Sequence, residues 1–430
     1  MVDQSAGARA LSFLKELVAA QASGEPAVQK CVANRLRANG CIVDERAYDP
    51  AAVPVIGEFA GGRAQTQGQR TNVVARLPGD PQKRSILVFA HPDSEPVDNI
   101  EAWSSSPFVL EERAGRLYGW GVADDLAGIA AGALALEAAA AVPEADRGDI
   151  VFISAPSKRH ARGVSAALHD NFEADGALYL HPAESGAGLT EIKALASGHL
   201  EFRIIISGRY PDTTEPSHTA FSHLAENPLD KAVLIHAALK KLDAERGANI
   251  HHPAIDKVVG RSTNLLISNI SCGEDRRFGR INLECTMGCA LSFPPGETLE
   301  DVKSQVEAAI MTAAAEDRWL AENPPRIEWV AGVTGAECPP DHPLYLAAAR
   351  AVEAVTGVVP HVNPMHTSSD IRNPIVQKGI PTVAIGGLCG DLTQNGRTDE
   401  WIDRDDFLRM ATATTEIILG WCGERRNGTN

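Results

Sequence analysis

The sequence predicts an α/β protein: a mostly parallel-sheet catalytic domain carrying an inserted α+β domain. Three observations support this. Apolar strand-like runs alternate with helical patterns up to about residue 196, the alternation breaks down over about 197–316, and it resumes to the C-terminus. The expected organisation is therefore a catalytic domain in two pieces, 1–196 and 317–430, around an insertion at 197–316. A chain of 430 residues is long enough for this division.

The first forty residues read as two amphipathic helices, Ala10–Ala20 and Pro26–Ala38, with Gly40 as the stop. Strand-like runs follow at Asn72–Leu77 and Ser85–Ala90, and the second ends directly on His91. A small-residue helix covers about Asp125–Val142. Two more apolar strands, Asp149–Ser154 and Gly176–Leu180, follow it, and the latter also ends on a histidine, His181. In open α/β sheets, ligand-binding residues lie just past the carboxyl ends of strands, so both histidines are placed for chemistry.

Within the insertion, Glu201–Ile206, Asn264–Ile270 and Ile281–Phe293 read as strands, and Lys231–Leu242 and Leu299–Ala315 as helices. After it come a helix at His342–Val355, a strand at Thr382–Ile385 and a closing helix at Asp405–Trp421.

Composition narrows the function. Hydrophobic residues make up 44% and charged residues 22%, as in an ordinary globular protein. A formal charge of −16 argues against nucleic acid, whose binding rests on cationic side chains meeting phosphates. No apolar run approaches a membrane span and the N-terminus does not read as a signal peptide, so a cytoplasmic protein is expected. The eight cysteines form no C-x-x-C pair, which points to reduced thiols rather than a zinc knuckle or disulfide framework.

Three segments carry metal-binding residue types: FAHPDSEP with His91 and Asp93, LYGWGVADDLAG with Asp124 and Asp125, and LYLHPAE with His181 and Glu184. Imidazole and carboxylate suit zinc, manganese, iron or cobalt. Asp93, two residues after His91, is expected to orient that imidazole. Alone, each is weak, since a histidine after a strand is more often structural and an aspartate placed like Asp124 is more often a helix cap than a ligand. Their common position at one sheet edge gives the set its weight.

These segments resemble the co-catalytic zinc metallopeptidase family of aminoacylase, glutamate carboxypeptidase and succinyl-diaminopimelate desuccinylase. The likeness extends to WSSSPF before LYGWGVADD, to LSFPPGETLEDV, and to MHTSSDIR, which is similar to a substrate-side loop containing Ser369 and Arg372. In SHTAFSHLAENPLDKA, His218 precedes Asn227 by nine residues, as a histidine does in that family. The resemblance implies a lid that also forms a homodimer interface, with His218 reaching the partner's active site as a catalytic and substrate-binding residue.

The family usually holds two metals, and here the chain departs from it. The first set is retained as His91, Asp124 and His181. The expected glutamate pair after Asp149–Ser154, which would supply the general base, is replaced in APSKRHARG by Ser157, Lys158 and Arg159. Asn395 and Gly396 stand where a late histidine is expected, and Ser292 where an arginine is usual. We therefore expect one divalent ion per chain, manganese or zinc.

The expected chemistry is hydrolysis of a C–N bond in a small carboxylated substrate. Without the glutamate base, an activated carbon is favoured over a peptide. The resemblance reaches to a branch that deaminates nitroaromatic amines, which implies conversion of 5-nitroanthranilate to 5-nitrosalicylate. Lys158, Arg159, Ser369 and Arg372 are the expected substrate contacts, with Arg372 pairing with the carboxylate. Two alternatives remain: an aminoacylase-type amidohydrolase using Glu184 or His366 as base, and a non-catalytic binding relative.

Overall fold

The structure is a computed structural model that describes residues 4–61, 68–94, 97, 99–170, 172–182, 185–363, 369–390 and 398–426. Eleven strands and eight helices frame the site and are labelled in chain order. The strands are β1 (Ile42–Tyr48), β2 (Glu58–Ala60), β3 (Arg70–Leu77), β4 (Ile86–Ala90), β5 (Ile150–Ser154), β6 (Gly176–Leu180), β7 (Gly198–Ser207), β8 (Asn264–Cys272), β9 (Glu284–Phe293), β10 (Arg326–Val333) and β11 (Thr382–Ile385). The helices are α1 (Gln4–Ala20), α2 (Glu25–Ala38), α3 (Ala127–Ala140), α4 (Pro228–Asn249), α5 (Leu299–Ala315), α6 (Pro343–Thr356), α7 (Arg372–Lys378) and α8 (Arg404–Gly423).

The catalytic sheet has the order β1-β3-β5-β4-β6-β11. Strands β5, β4, β6 and β11 are mutually parallel, and β3 runs against β5. Every residue of β4, β6 and β11 is buried. Their unbroken apolar runs follow from this, because a parallel sheet is covered on both faces. Helices α1, α2, α3, α6 and α8 pack on one face around Leu14, Leu36, Ile129, Val352 and Ile418. A second core around Phe89, Ile153, Leu168 and Ile371 covers the other face.

Glycine permits the close packing beside the site. A Cβ on Gly128 of α3 would lie 2.4 Å from the Leu180 carbonyl oxygen at the end of β6. Any side chain there would push the Asp124 loop away from His181.

A second, antiparallel sheet has the order β8-β9-β7-β10-β2. Along β9, Cys285, Met287, Cys289, Leu291 and Phe293 alternate inward against α4 and α5, as expected for a sheet covered on one face. This sheet continues past residue 316. Leu320, Ile327 and Trp329 pack into the separate core between this sheet and its helices, and β10 pairs with β7. The catalytic segment also lends β2 to its edge, so the two units share a sheet.

Strand β1 escaped the sequence reading. It is an edge strand with no fully buried residue, so it lacks the apolar period that marks its neighbours. Among the described residues, no helix is long and apolar enough to cross a membrane.

Candidate metal centre

Strand register builds the floor of the site. Phe89 of β4 is the direct partner of Tyr179 in β6, so His91 and His181, each two residues further on, leave the sheet edge on the same side. The Tyr179 ring lies 5.0 Å from the His91 ring and 4.9 Å from the His181 ring. His91 Nδ1 sits 2.6 Å from the Ala155 carbonyl, which leaves Nε2 to face the carboxylates. His181 Nδ1 likewise faces the Pro182 carbonyl at 3.1 Å.

The third element is the loop before α3. Glu400 fixes it, accepting hydrogen bonds from the amides of Gly121, Ala123 and Asp124 at 2.9, 3.0 and 3.3 Å. Gly121 has φ +69, a conformation that favours glycine. The loop delivers two fully enclosed carboxylates, Asp124 and Asp125.

Among the described residues, Asp124, Asp125 and His181 form the group able to hold a metal ion, with one donor atom from each within 4.8 Å of the others. His181 Nε2 is 3.7 Å from Asp124 Oδ1. His91 Nε2 is 3.9 Å from Asp125 Oδ2 and 3.1 Å from Asp370 Oδ2. Two donors on one tetrahedral transition metal lie about 3.4 Å apart, so these separations fit an ion of that kind. The structure thus groups two of the expected ligands, Asp124 and His181. It adds Asp125, and His91 Nε2 lies 3.9 Å from an oxygen of that carboxylate.

Charge is tightly arranged here. Lys158 donates from Nζ to Asp124 Oδ2. Burial alone would raise the Asp124 carboxyl, but the Lys158 ammonium, Asp125 and His181 hold it far below the usual carboxylate range. Burial disfavours the Lys158 ammonium as well, yet Asp124 and Asp125 keep it protonated. Asp125 moves the opposite way: burial and then the adjacent Asp124 charge drive its carboxyl well above the ordinary value. Asp370 is half-buried, and its contacts with His91 and the Ser157 hydroxyl hold its carboxyl below the ordinary range against the pull of desolvation.

A cavity of about 250 Å³ opens over this floor, lined by Ser157, Lys158, Tyr179, His181, Ser369 and Asp370 among others.

The sequence profile of peptidase family M20/M25/M40 matches residues 87–420. The chain belongs to that family. It is 28% identical over 375 residues to a succinyl-diaminopimelate desuccinylase of Leptothrix cholodnii, covering 84% of this chain and 86% of the relative. It is 23% identical over 376 residues to an N-formyl-4-amino-5-aminomethyl-2-methylpyrimidine deformylase of Bacillus subtilis, covering 83% and 84%. A metallo-carboxypeptidase of the M20 family from Sulfolobus solfataricus superposes with a TM-score of 0.71 at 14% identity, over 95% of this chain and 98% of that one. Human carnosine dipeptidase 1 superposes with a TM-score of 0.66 at 18% identity, over 98% of each chain. As a member of family M20/M25/M40, the chain is a metal-dependent hydrolase with an α/β catalytic domain and an inserted domain.

Several expected roles change within that frame. Asp93 does not orient His91, whose Nδ1 is held by Ala155. Its carboxylate instead accepts from the amides of Ser157 at 2.9 and 3.2 Å and of Lys158 at 2.9 Å. Asp93 therefore shapes the turn that sends Lys158 into the site.

Arg372 lines the cavity, but its guanidinium points into protein. Its N–H groups go to the carbonyls of Thr334, Ile56 and Gly57 and to Glu58 and Asn373. With all five donors engaged, none remains for a substrate carboxylate. Arg372 anchors the β2 segment instead.

Ser369 lines the cavity, and among the described residues its hydroxyl has no hydrogen-bond partner. His218 lies in the inserted domain and is absent from the cavity lining of its own chain. Its Nδ1 accepts from the Ala220 amide at 3.1 Å. The Arg159 side chain, Glu184, His366, Asn395 and Gly396 lie outside the described residues.

Sequence reading passed over Asp370, Tyr179 and Glu400 as site residues, and named Asp125 without a role. Asp370 stood inside the quoted SSDIR segment, and Asp125 beside a chosen ligand. Nothing local marks Glu400, whose partners lie 276 to 279 residues away.

Proposed function

We propose that this chain hydrolyses a non-peptide C–N bond at an activated carbon of a small carboxylated substrate, using one divalent ion held by His91, Asp124 and His181. The observation that carries this reading is the turn after β5. Where the family's base glutamate is expected stand Ser157 and Lys158, and the Lys158 ammonium is bound to Asp124. Manganese or zinc suits the donors. Such an ion, when bound, lowers the pKa of its water from 15.7 to roughly 7 and so supplies hydroxide without a strong protein base.

An amide needs its leaving amine protonated, which the missing glutamate does not favour. An electron-poor ring relaxes that demand by spreading negative charge onto its withdrawing group. The specific substrate proposed is 5-nitroanthranilate. Water adds its oxygen to the ring carbon, the C–N bond breaks, and 5-nitrosalicylate and ammonia result. A cavity of about 250 Å³ suits a single substituted ring. The Ser369 hydroxyl is placed to bind it, and Lys158 supplies positive charge at the cavity floor.

A second reading is hydrolysis of an N-acyl group, favoured by the names of the desuccinylase and deformylase relatives. Purified enzyme loaded with manganese should release ammonia from 5-nitroanthranilate and turn over N-succinyl or N-formyl amines poorly. Rapid deacylation with no ammonia release would replace the first reading by the second. Absence of any turnover, with no bound metal, would leave a binding protein.

We also propose a homodimer through the inserted domain. Strand β8 is a sheet edge exposing Leu266 and Ile270, and α4 exposes Leu229, Val233 and Leu234. An open apolar edge of this kind calls for a partner. In the dimer, His218 would serve the other protomer's site.

A further inference from the structure

We infer that the ammonium of Lys158 is a tethered replacement for the family's second metal ion, so that occupancy as well as missing ligands limits this chain to one ion. The inference rests on the one-ion reading above.

Three independent features support it. First, Lys158 leaves the chain just beyond β5, where the family's glutamate pair is expected, so a cation enters in place of a carboxylate that would bind one. Second, the two oxygens of Asp124 are divided. Oδ2 accepts from Lys158 Nζ, while Oδ1 faces His181 Nε2 at 3.7 Å. One carboxylate thus spans an ammonium on one side and the metal-binding group on the other, as a bridging carboxylate spans two ions.

Third, the turn is built to hold the lysine there. Asp93 accepts from the Ser157 and Lys158 amides, and the Ser157 hydroxyl donates to Asp370. A lysine serving only as a solvated surface charge would need no such scaffold. Four acidic side chains, Asp93, Asp124, Asp125 and Asp370, crowd this floor, and three of them are fully or nearly enclosed. A single ion would leave that excess of carboxylate poorly balanced. The ammonium offsets part of it permanently.

The arrangement has two physical consequences. Asp124 is already partly neutralised, so it donates less charge to an ion at His181, and that ion stays more electrophilic. The ammonium also repels the ion across the shared carboxylate, which weakens its binding. Removing the lysine charge should therefore tighten metal binding, a change that no merely structural role would produce.

The test is calorimetric titration of manganese(II) into the metal-free full-length chain, with thermal unfolding before and after loading. Wild type should bind one equivalent. Lys158→Met, and the gentler Lys158→Gln, which can still donate to Asp124, should bind manganese about ten-fold or more tighter, because the repulsion is gone. Without metal they should unfold about 5 °C or more below wild type, since a partner of a buried pair is lost, and manganese should restore most of that difference.

Unchanged or weaker binding by folded variants would overturn the inference, as would two equivalents in wild type. If wild type bound no manganese at all, the one-ion hydrolase reading would fail. The metal-free melting comparison would then decide the Lys158–Asp124 pairing by itself, an unchanged melting temperature refuting it.

Discussion

Phe89 and Tyr179 face each other across adjacent parallel strands, and their rings stack with centroids 4.7 Å apart. The pairing fixes the register of β4 against β6. Each strand then carries its histidine two residues further, onto the same side of the sheet edge. The metal-binding floor is thus a consequence of strand register. A one-residue slip would send one histidine to the opposite face.

His181→Ala should eliminate both bound metal and activity, because Asp124 and Asp125 would lose the nitrogen donor grouped with them. Metal analysis of the purified variant checks this. A full equivalent of metal in His181→Ala would remove His181 from the ligand set.

Arg372→Ala should act on stability rather than on substrate affinity. It strips the partner from Glu58, itself nearly enclosed, and leaves three backbone carbonyls unmet. Loss of a buried pair partner costs about 3–5 kcal/mol. Chemical denaturation should show a loss of that size. Ser369→Ala should do the reverse, raising KM with little change in the unfolding midpoint.

Glu58 gives a pH signature. Burial would raise its carboxyl, but the nearby His160, whose Nδ1 is 3.8 Å away, and the charges of Arg372 and Arg162 outweigh burial and hold it below the ordinary value of 4.5. A carboxyl depressed by folding contributes stability that is fully present above the unfolded value. That contribution fades as pH falls through the lower folded value. Wild type should therefore lose stability below about pH 4.5 more steeply than Glu58→Gln, as read from denaturation midpoints across pH. Parallel acid slopes for the two proteins would show that Glu58 contributes nothing to the acid limit.

The proposed dimer predicts complementation. His218→Ala keeps its metal site but offers no histidine to its partner, whereas His181→Ala offers the histidine but has a broken site. Each homodimer should be inactive, and mixing them under subunit exchange should restore part of the activity. A Leu266→Asp, Ile270→Asp double variant should sediment as a monomer. No recovery on mixing would confine His218 to its own chain or to no role.

Much of this organisation was legible in the sequence because it depends on local pattern. The boundaries of β6, α5 and β11 agree with the expected segments residue for residue, since wholly apolar runs and a clean helical period leave little choice. His91 and His181 were found because each ends such a run. The replacement of the family's acidic pair by Ser157 and Lys158 was visible for the same reason, being anchored to the end of β5.

What only the tertiary structure decided is which partner each polar side chain meets. Arg372 had the residue type and position of a carboxylate clamp, but Glu58, 314 positions earlier, and the carbonyls around it take its donors. Asp93 stands two residues after His91 in sequence, yet folding aims its carboxylate at the Ser157 and Lys158 amides. The position of Lys158 suggested a substrate contact in a basic loop, and only folding placed its ammonium on Asp124. Apolar periodicity is written into neighbouring residues, so one sequence suffices to read it. Hydrogen bonds and ion pairs are set by segments far apart in the chain, and their directions exist only once the segments are packed together.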